Sequence, residues 1–90
     1  MTLPFDISPS LQRTLDKLGR KDKKLAITVR KKIDQIINLD KTAIDHFKNL
    51  RGDMSHLKRV RIGSFILTFR LEGNTIIFED FDHHDGAYRR

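Results

Sequence analysis

Three arginines in the second half of the chain, Arg59, Arg61 and Arg70, could together bind phosphate. A guanidinium group binds phosphate oxygens through two parallel hydrogen bonds, and it can stabilise the charge of a five-coordinate phosphorus. Lys48 and Arg51 stand shortly before them and extend the predicted phosphate-binding surface. An ordinary solvated strand face is the alternative, because basic residues are common on strands and also protect sheet edges.

The C-terminal segment DFDHHDGAYRR, residues 80–90, carries groups that could transfer protons. Imidazole titrates near neutral pH, with an unperturbed pKa of about 6.5, so His83 or His84 could act as a general acid or base. An exposed histidine pair without a chemical role is the alternative. Tyr88 could stack on a base or donate a proton, or it could pack its ring on the core with its hydroxyl in water.

The same segment does not predict a metal site. Neighbouring residues of a strand point to opposite faces, so His83 and His84 cannot both bind one metal ion from a regular strand. The chain has no cysteine, which excludes disulfides and zinc sites built from thiolates. We therefore expect neither a metal nor a cofactor.

The charge of the chain indicates a polyanionic partner. Its 90 residues include 18 Lys and Arg against 12 Asp and Glu, which gives a net charge of +6. Such an excess suits either nucleic acid or an acidic protein. The length fits a single domain over residues 1–90. Because neither a secretory signal nor an apolar stretch near the roughly 20 residues of a membrane span is visible, we expect a cytoplasmic protein.

The first half of the chain predicts a strand and an antiparallel helical hairpin. Apolar residues alternate at positions 3, 5 and 7, which is typical of a half-buried strand. Ser8 as N-cap and Pro9 at the first helical position predict a helix that Gly19 ends. A second helix is expected to begin near Asp22, and Asp40 is expected to cap a short third one. The outer face of the second helix is basic, with Lys23, Lys24, Arg30, Lys31 and Lys32.

The second half predicts three antiparallel strands, because apolar residues there recur with a period of two. The strands are expected at Leu57–Ile62, Phe65–Leu71 and Thr75–Phe81. Glycine at the first central position suits type II′ turns at Gly63-Ser64 and at Gly73-Asn74. A turn at Glu72-Gly73 is the alternative for the second hairpin, and it would shift the pairing but keep the same faces. The fold class is therefore α+β, with the N-terminal strand and the helical hairpin packed on one face of a mainly antiparallel sheet.

The predicted turns fix which residues share a face of the sheet. One face is mostly apolar and is expected to meet the helices. The other carries the pairs Arg61–Ile66 and Arg59–Thr68, together with Arg70. A regular third strand would pair Thr68 with Glu79 and Ile66 with Phe81. His83 would then lie on the arginine-bearing face too, about 10 Å from Arg61 across one intervening strand.

Two motifs make the chain resemble a known family. One is K-x-L-x-G at residues 48–52, followed by RVRIGSF at residues 59–65. The other is the terminal pair His83-His84 followed by Tyr88. Together with the order of strand, two helices and strand pair, they resemble the RelE/ParE toxin superfamily over nearly the whole chain.

The resemblance implies a toxin of a toxin–antitoxin pair that cuts mRNA on the ribosome without a metal. Attack of a ribose 2′-hydroxyl on the adjacent phosphate requires a base, an acid and positive charge. Carried over by position, Arg59 and Arg61 stabilise the phosphate, His83 or His84 is the acid, and Tyr88 stacks or transfers a proton. The surrounding RNA-binding residues would be Lys48, Arg51, Lys58 and Arg70. The implied partners are an acidic, wrapping antitoxin, the ribosome and mRNA.

Two positions depart from the pattern of many active members. Ile66 and His84 stand where arginine is common. The alternatives are therefore a ParE-like toxin that binds and inhibits DNA gyrase without cleaving RNA, or an attenuated toxin that acts only as an antitoxin-binding module.

Overall fold

A short N-terminal strand joins a three-stranded antiparallel meander in one sheet. The computed structural model describes residues 3–45 and 57–83. Their strands, in the order β1-β4-β3-β2 across the sheet, are β1 (Phe5–Ile7), β4 (Thr75–His83), β3 (Phe65–Glu72) and β2 (Lys58–Ile62). β1 runs parallel to β4, whereas β2, β3 and β4 are antiparallel neighbours. The prediction of an α+β fold with a mainly antiparallel sheet is confirmed.

Polar caps begin each of the helices, as the sequence predicts. Helix α1 (Pro9–Lys21) starts where the Oγ of Ser8 accepts the backbone N–H of Leu11 at 3.0 Å. Helix α2 (Lys23–Ile37) follows after the single residue Asp22. A short α3 (Lys41–Asp45) begins where Asp40 accepts the N–H of Ala43 at 2.8 Å. None of the helices in the described segments is long and apolar enough to cross a membrane.

Asp22 ends α1 and caps α2, so the prediction that Gly19 ends α1 is wrong. The helix continues through Gly19 to Lys21, although glycine inside a helix costs about 1 kcal/mol relative to alanine. At Asp22 the backbone leaves the helical region, with φ −148° and ψ 83°. Its carboxylate then accepts the N–H of Leu25 at 3.1 Å, which satisfies a free donor of α2.

The two long helices bury their apolar stripes against one face of the sheet. The buried cluster includes Leu11 and Leu15 from α1, Val29, Ile33 and Ile36 from α2, and Leu67, Phe69, Ile76, Phe78 and Phe81 from the sheet. Because this layer covers only one side, residues that alternate with it along the strands face the opposite side of the sheet.

Both hairpins have the predicted turns. Gly63 and Gly73 have φ of 61° and 62°, and no other residue of the described segments has a positive φ. A positive φ at the first central position alone is the signature of a type II′ turn. The turns therefore set the pairs Ile62–Phe65 and Glu72–Thr75 that begin the two hairpins.

Candidate active site

The hairpin of β2 and β3 places two of the predicted site arginines on one face. Arg59 pairs with Thr68 and Arg61 pairs with Ile66, as the turn at residues 63–64 predicts. Both arginines therefore lie on the side of the sheet away from the helices. We call this side the arginine face, defined by Arg59, Arg61, Ile66, Thr68, Asp80 and Asp82.

The centre of the arginine face is buried, while its margin at β2 is accessible. Ile66 and Thr68 are each only 2% exposed, although neither faces the helices. Arg61 is exposed, and its Nε donates to the carbonyl oxygen of Gly63 at 3.1 Å. This hydrogen bond holds the stem of the side chain and leaves the two terminal nitrogens to bind an anion. Arg59 is half-buried.

A β-bulge in β4 corrects the predicted register of the third strand. The pairing shifts between Thr68 and Phe69, so that Phe69 opposes Phe78 but Thr68 opposes Asp80. Glu79 is the extra residue, and the predicted pair Thr68–Glu79 is wrong. The predicted pair Ile66–Phe81 is wrong for the same reason. A bulge of this kind moves every later side chain of the strand to the other face.

The bulge moves His83 away from the arginines. His83 pairs with Phe65, and the two rings meet edge to face with centroids 5.5 Å apart. Phe65 in turn stacks on Phe81 at 5.0 Å, on the side of the sheet that the helices cover. The predicted position of His83 on the face of Arg61 is therefore wrong. Asp82 takes that place, opposite Ile66.

The first helix cap holds the bulge in position. The hydroxyl of Ser8 donates to the carbonyl oxygen of Glu79 at 2.6 Å, and the backbone N–H of Ser8 donates to that of Phe78 at 2.9 Å. The same hydroxyl accepts the N–H of Leu11. One serine thus joins the start of α1 to the point where β4 changes register, whereas the sequence predicts only its capping role.

Arg70 is held by two carboxylates next to the bulge. Its Nε lies 2.6 Å from Glu79 Oε1, and its Nη1 lies 2.7 Å from Glu72 Oε2. The hydrogen bond that Arg70 donates to Glu79, followed by the one that it donates to Glu72, raises the pKa of Arg70 above its ordinary value. Because two carboxylates already bind its guanidinium, we expect Arg70 to be less available to phosphate than Arg61. The prediction that Arg70 binds RNA is weakened accordingly.

The two aspartates of the arginine face bind backbone groups of their own strand. Asp80 accepts the N–H of Phe81 at 2.9 Å, and Asp82 accepts the N–H of His83 at 2.8 Å. β1 pairs with β4 only as far as Phe78, so these carboxylates satisfy donors beyond the end of that pairing. Within the two described segments, no three His, Cys, Asp or Glu side chains form a group that could hold a metal ion.

The other predicted site residues are not brought to this face by the described structure. Lys58 pairs with Phe69, which places it on the side of the sheet that the helices cover. Lys48, Arg51, His84 and Tyr88 lie outside the described residues. A signal for the bulge was present in the sequence: Phe78 and Phe81 are three residues apart, which breaks the period of two that Ile76 and Phe78 establish.

Known proteins match this chain over nearly its whole length. No family model matches it. A protein of Methanocaldococcus jannaschii named "Putative toxin RelE4" is 42% identical over 89 residues, which cover 96% of this chain and 90% of that relative.

Solved structures of toxins share the fold. The YoeB dimer of Staphylococcus aureus superposes with a TM-score of 0.73 at 16% identity, over 93% of this chain and 99% of that one. A chain of the toxin–antitoxin complex RelBE2 of Mycobacterium tuberculosis has a TM-score of 0.67 at 18% identity, over 93% of this chain and 100% of that one. The predicted resemblance is confirmed: at 42% identity to the M. jannaschii protein over nearly the whole length of both, this chain belongs to the RelE toxin family.

Proposed function

We propose that this RelE-family toxin is an endoribonuclease that cuts mRNA on the ribosome without using a metal ion. The observation that carries the proposal is the position of Arg59 and Arg61, two residues apart on one strand and on one face. Two guanidinium groups at that spacing suit a single phosphodiester, because they can share its oxygens as charge develops during cleavage.

The proposed reaction needs only groups that the substrate and the protein supply. The ribose 2′-oxygen forms a bond to the adjacent phosphorus, and the bond from phosphorus to the 5′-oxygen of the next nucleotide breaks. A base takes the proton of the 2′-hydroxyl, and an acid gives a proton to the departing 5′-oxygen. The products are a 2′,3′-cyclic phosphate and a free 5′-hydroxyl.

We assign Arg59 and Arg61 to the phosphate, and Asp82 to the 2′-hydroxyl as the base. Asp82 is on the arginine face, separated from Arg61 by one strand and therefore by about 10 Å, a gap that a phosphodiester and its neighbouring sugars can bridge. His84 replaces His83 as the proposed acid, since His83 packs against Phe65 on the opposite face. Tyr88 keeps its proposed role in stacking or proton transfer.

The charge of the chain supports the proposed partners. A net charge of +6 favours the phosphates of mRNA and the ribosome during toxicity, and an acidic antitoxin otherwise. A chain with the same fold belongs to the toxin–antitoxin complex RelBE2 of M. tuberculosis, which supports a protein antitoxin as the partner here. Action on translating ribosomes requires the protein to work in the cytoplasm.

Primer extension on mRNA-programmed ribosomes tests the proposal. Purified protein should create new 5′ ends within the A-site codon. The same ends should form when divalent metal is chelated after the assembled ribosomes have been cross-linked on the mRNA. Absence of such ends with folded protein would refute the nuclease. Inhibited DNA supercoiling by purified gyrase, with intact mRNA, would instead support the gyrase-binding alternative.

A further inference from the structure

A groove of about 310 Å³ runs between the edge of the sheet and the second helix. Its apolar wall is formed by Phe5 and Ile7 of β1 and by Ile27 and Ile33 of α2. Because Phe5 and Ile7 pair with the buried core residues Ile76 and Phe78, the groove is on the helix side of the sheet. It therefore lies on the opposite side of the sheet from the arginine face.

The groove exposes apolar surface that the fold does not cover. Phe5 is 41% exposed and Ile27 is 54% exposed, and these are the large apolar side chains that the described segments leave in solvent. Phe5 is nevertheless fixed in place, since its ring meets that of Phe78 edge to face at 6.1 Å. Exposed apolar side chains that line one concave site are typical of an interaction surface.

The edge of the sheet adds backbone groups to the same groove. Among the strands of the described segments, β1 is the outermost on this side, and β4 is its one neighbour there. An edge strand presents N–H and C=O groups that can pair with an extended segment of another protein. An added strand would place every second side chain over the apolar wall, because side chains alternate along a strand.

The charge at the rim determines which kind of segment fits. Arg30 and Lys31 line the groove and are exposed, and neither forms an ion pair with any residue in the described segments. Asp34 is the one acidic residue among those that line it. A segment that carries Asp or Glu two positions before or after its apolar residues, and therefore on the same side of the added strand, would satisfy both cations. A second copy of this chain would instead bring like charges together, and its net charge of +6 opposes that.

We infer that the groove between β1 and α2 docks an extended acidic segment of a partner protein, with apolar side chains on Phe5 and Ile27 and carboxylates at Arg30 and Lys31. The inference rests on the proposed pairing of this toxin with an acidic antitoxin, and it deepens that proposal by naming a surface. Since the groove and the arginine face lie on opposite sides of the sheet, docking here leaves the arginines open to RNA.

Titration of a short synthetic peptide tests the inference. Its leucines and glutamates stand at alternate positions with threonine between them, so that both face the same side of an added strand. Backbone amide resonances of the ¹⁵N-labelled full chain should shift in β1 and in residues 27–34. A matched peptide with lysine in place of each glutamate should bind at least about tenfold more weakly, because its charges oppose the rim. Shifts confined to β2 and β3, or equal affinity for the two peptides, would overturn the inference.

Paired charge reversals identify the residues that hold the peptide. The variant Arg30→Glu/Lys31→Glu should lose at least about tenfold in affinity. The matched control Arg13→Glu/Lys17→Glu makes the same charge change on exposed positions of α1, and it should stay within about twofold. Equal losses in both variants would show general attraction to a basic protein and would overturn a defined site.

The variant Ile27→Ser tests the apolar wall without altering charge. Ile27 is largely exposed, so this variant should fold normally by circular dichroism and should bind the peptide several-fold more weakly. Unchanged affinity would overturn the role of the groove. So would the finding that the chain does not bind the peptide but associates with itself through Ile27.

Ribosome-dependent cleavage by the same variants separates this inference from the proposed function. Groove variants should cleave mRNA like the unaltered chain. If the unaltered chain cleaves mRNA normally but does not bind the peptide, the docking site alone is overturned. Peptide binding in the groove without any cleavage would overturn the nuclease alone.

Discussion

Arg61 has the geometry of a phosphate ligand that is held ready before the substrate arrives. Its exposed side chain donates through Nε to the carbonyl oxygen of Gly63, at the turn that follows β2. The bond limits the rotation of a long side chain, so less conformational entropy is lost when phosphate binds. Arg70, by comparison, already has two carboxylate partners.

Removal of the Arg61 side chain should therefore slow cleavage strongly. We expect Arg61→Ala to lower the rate of mRNA cleavage on the ribosome by about 10²–10³-fold, since charge stabilisation in the transition state contributes about 2.7–4 kcal/mol. Primer extension over a time course measures the rate.

Two further variants show whether the effect belongs to the guanidinium at this position. Arg61→Lys keeps the charge but cannot form paired hydrogen bonds, so its rate should fall between those of the other two proteins. Arg13→Ala removes an exposed arginine from α1 and should cleave normally. A rate for Arg61→Ala equal to that of the unaltered protein would remove Arg61 from the mechanism.

Asp82 is the second residue whose proposed role can be tested, with a substitution that keeps the shape of the side chain. In Asp82→Asn the amide oxygen can still accept the N–H of His83, which the carboxylate binds at 2.8 Å. The amide cannot take up a proton, so loss of a general base should lower the cleavage rate by about 10²–10⁴-fold. Primer extension and a thermal melt of the same sample measure rate and stability together.

Asp80→Asn is the matched control for Asp82. Asp80 accepts the neighbouring backbone N–H in the same way, and it lies on the same face opposite Thr68. Its replacement changes the charge of the face equally but leaves the proposed base in place. Equal loss of activity in the two variants would indicate an effect of charge alone and would contradict the assignment of Asp82.

At the level of the elements, Ser8 links the first helix to the change of register in β4. Its hydroxyl serves both the N–H of Leu11 and the carbonyl oxygen of Glu79. We expect Ser8→Ala to lower the free energy of unfolding by about 2 kcal/mol, since a lost N-cap costs about 1 kcal/mol and a lost hydrogen bond about 1 kcal/mol more. Denaturant unfolding followed by circular dichroism measures the change.

Asp22→Ala gives the comparison, because it removes an N-cap whose carboxylate accepts a hydrogen bond from its own helix. Asp22 caps α2 at an exposed position, through the N–H of Leu25. Its loss should cost about 1 kcal/mol, the capping contribution alone. If the two variants were equally destabilised, the bond from Ser8 to Glu79 would contribute nothing to stability.

Local rules explain which elements the sequence could predict. Helix caps and two-residue turns depend on neighbouring residues, so the predictions at Ser8, Asp22 and Gly63 agree with the structure. The register of β2 and β3 follows from one turn. The prediction that α1 ends at Gly19 is wrong because a glycine is tolerated inside a helix that packs well.

The bulge could not be predicted by the same rules, and it decides which residues of β4 share a face with Arg61. Its carbonyl group is bound by Ser8, 71 residues away in sequence, and such a contact has no local signature. The spacing of Phe78 and Phe81 indicates a break in the period of two, but it does not show which residue is the extra one. A regular strand predicts His83 on the face of Arg61, whereas the structure puts Asp82 there.

At the scale of the whole molecule, the described segments carry positive charge on both sides of the sheet. The arginine face lies on one side of the sheet, and the exposed cations of α2 lie on the helix side. A net charge of +6 attracts RNA to both, but only contacts with phosphate release bound counterions. The dependence of RNA affinity on salt can therefore show which cations touch the RNA.

Arg61 and Arg70 should differ in this measurement, although they carry the same charge on adjacent strands. For single-stranded RNA, each phosphate contact contributes about −0.7 to the slope of log K against log salt concentration. Arg61→Gln should make the slope shallower by about that amount, because the terminal nitrogens of the native arginine are available to phosphate. Arg70→Gln should leave the slope unchanged, since Glu72 and Glu79 already bind its guanidinium. Fluorescence anisotropy of a labelled RNA over a series of salt concentrations gives both slopes. An equal change in the two variants would mean that Arg70 leaves its carboxylates to bind RNA, and that the whole row of arginines contacts the substrate.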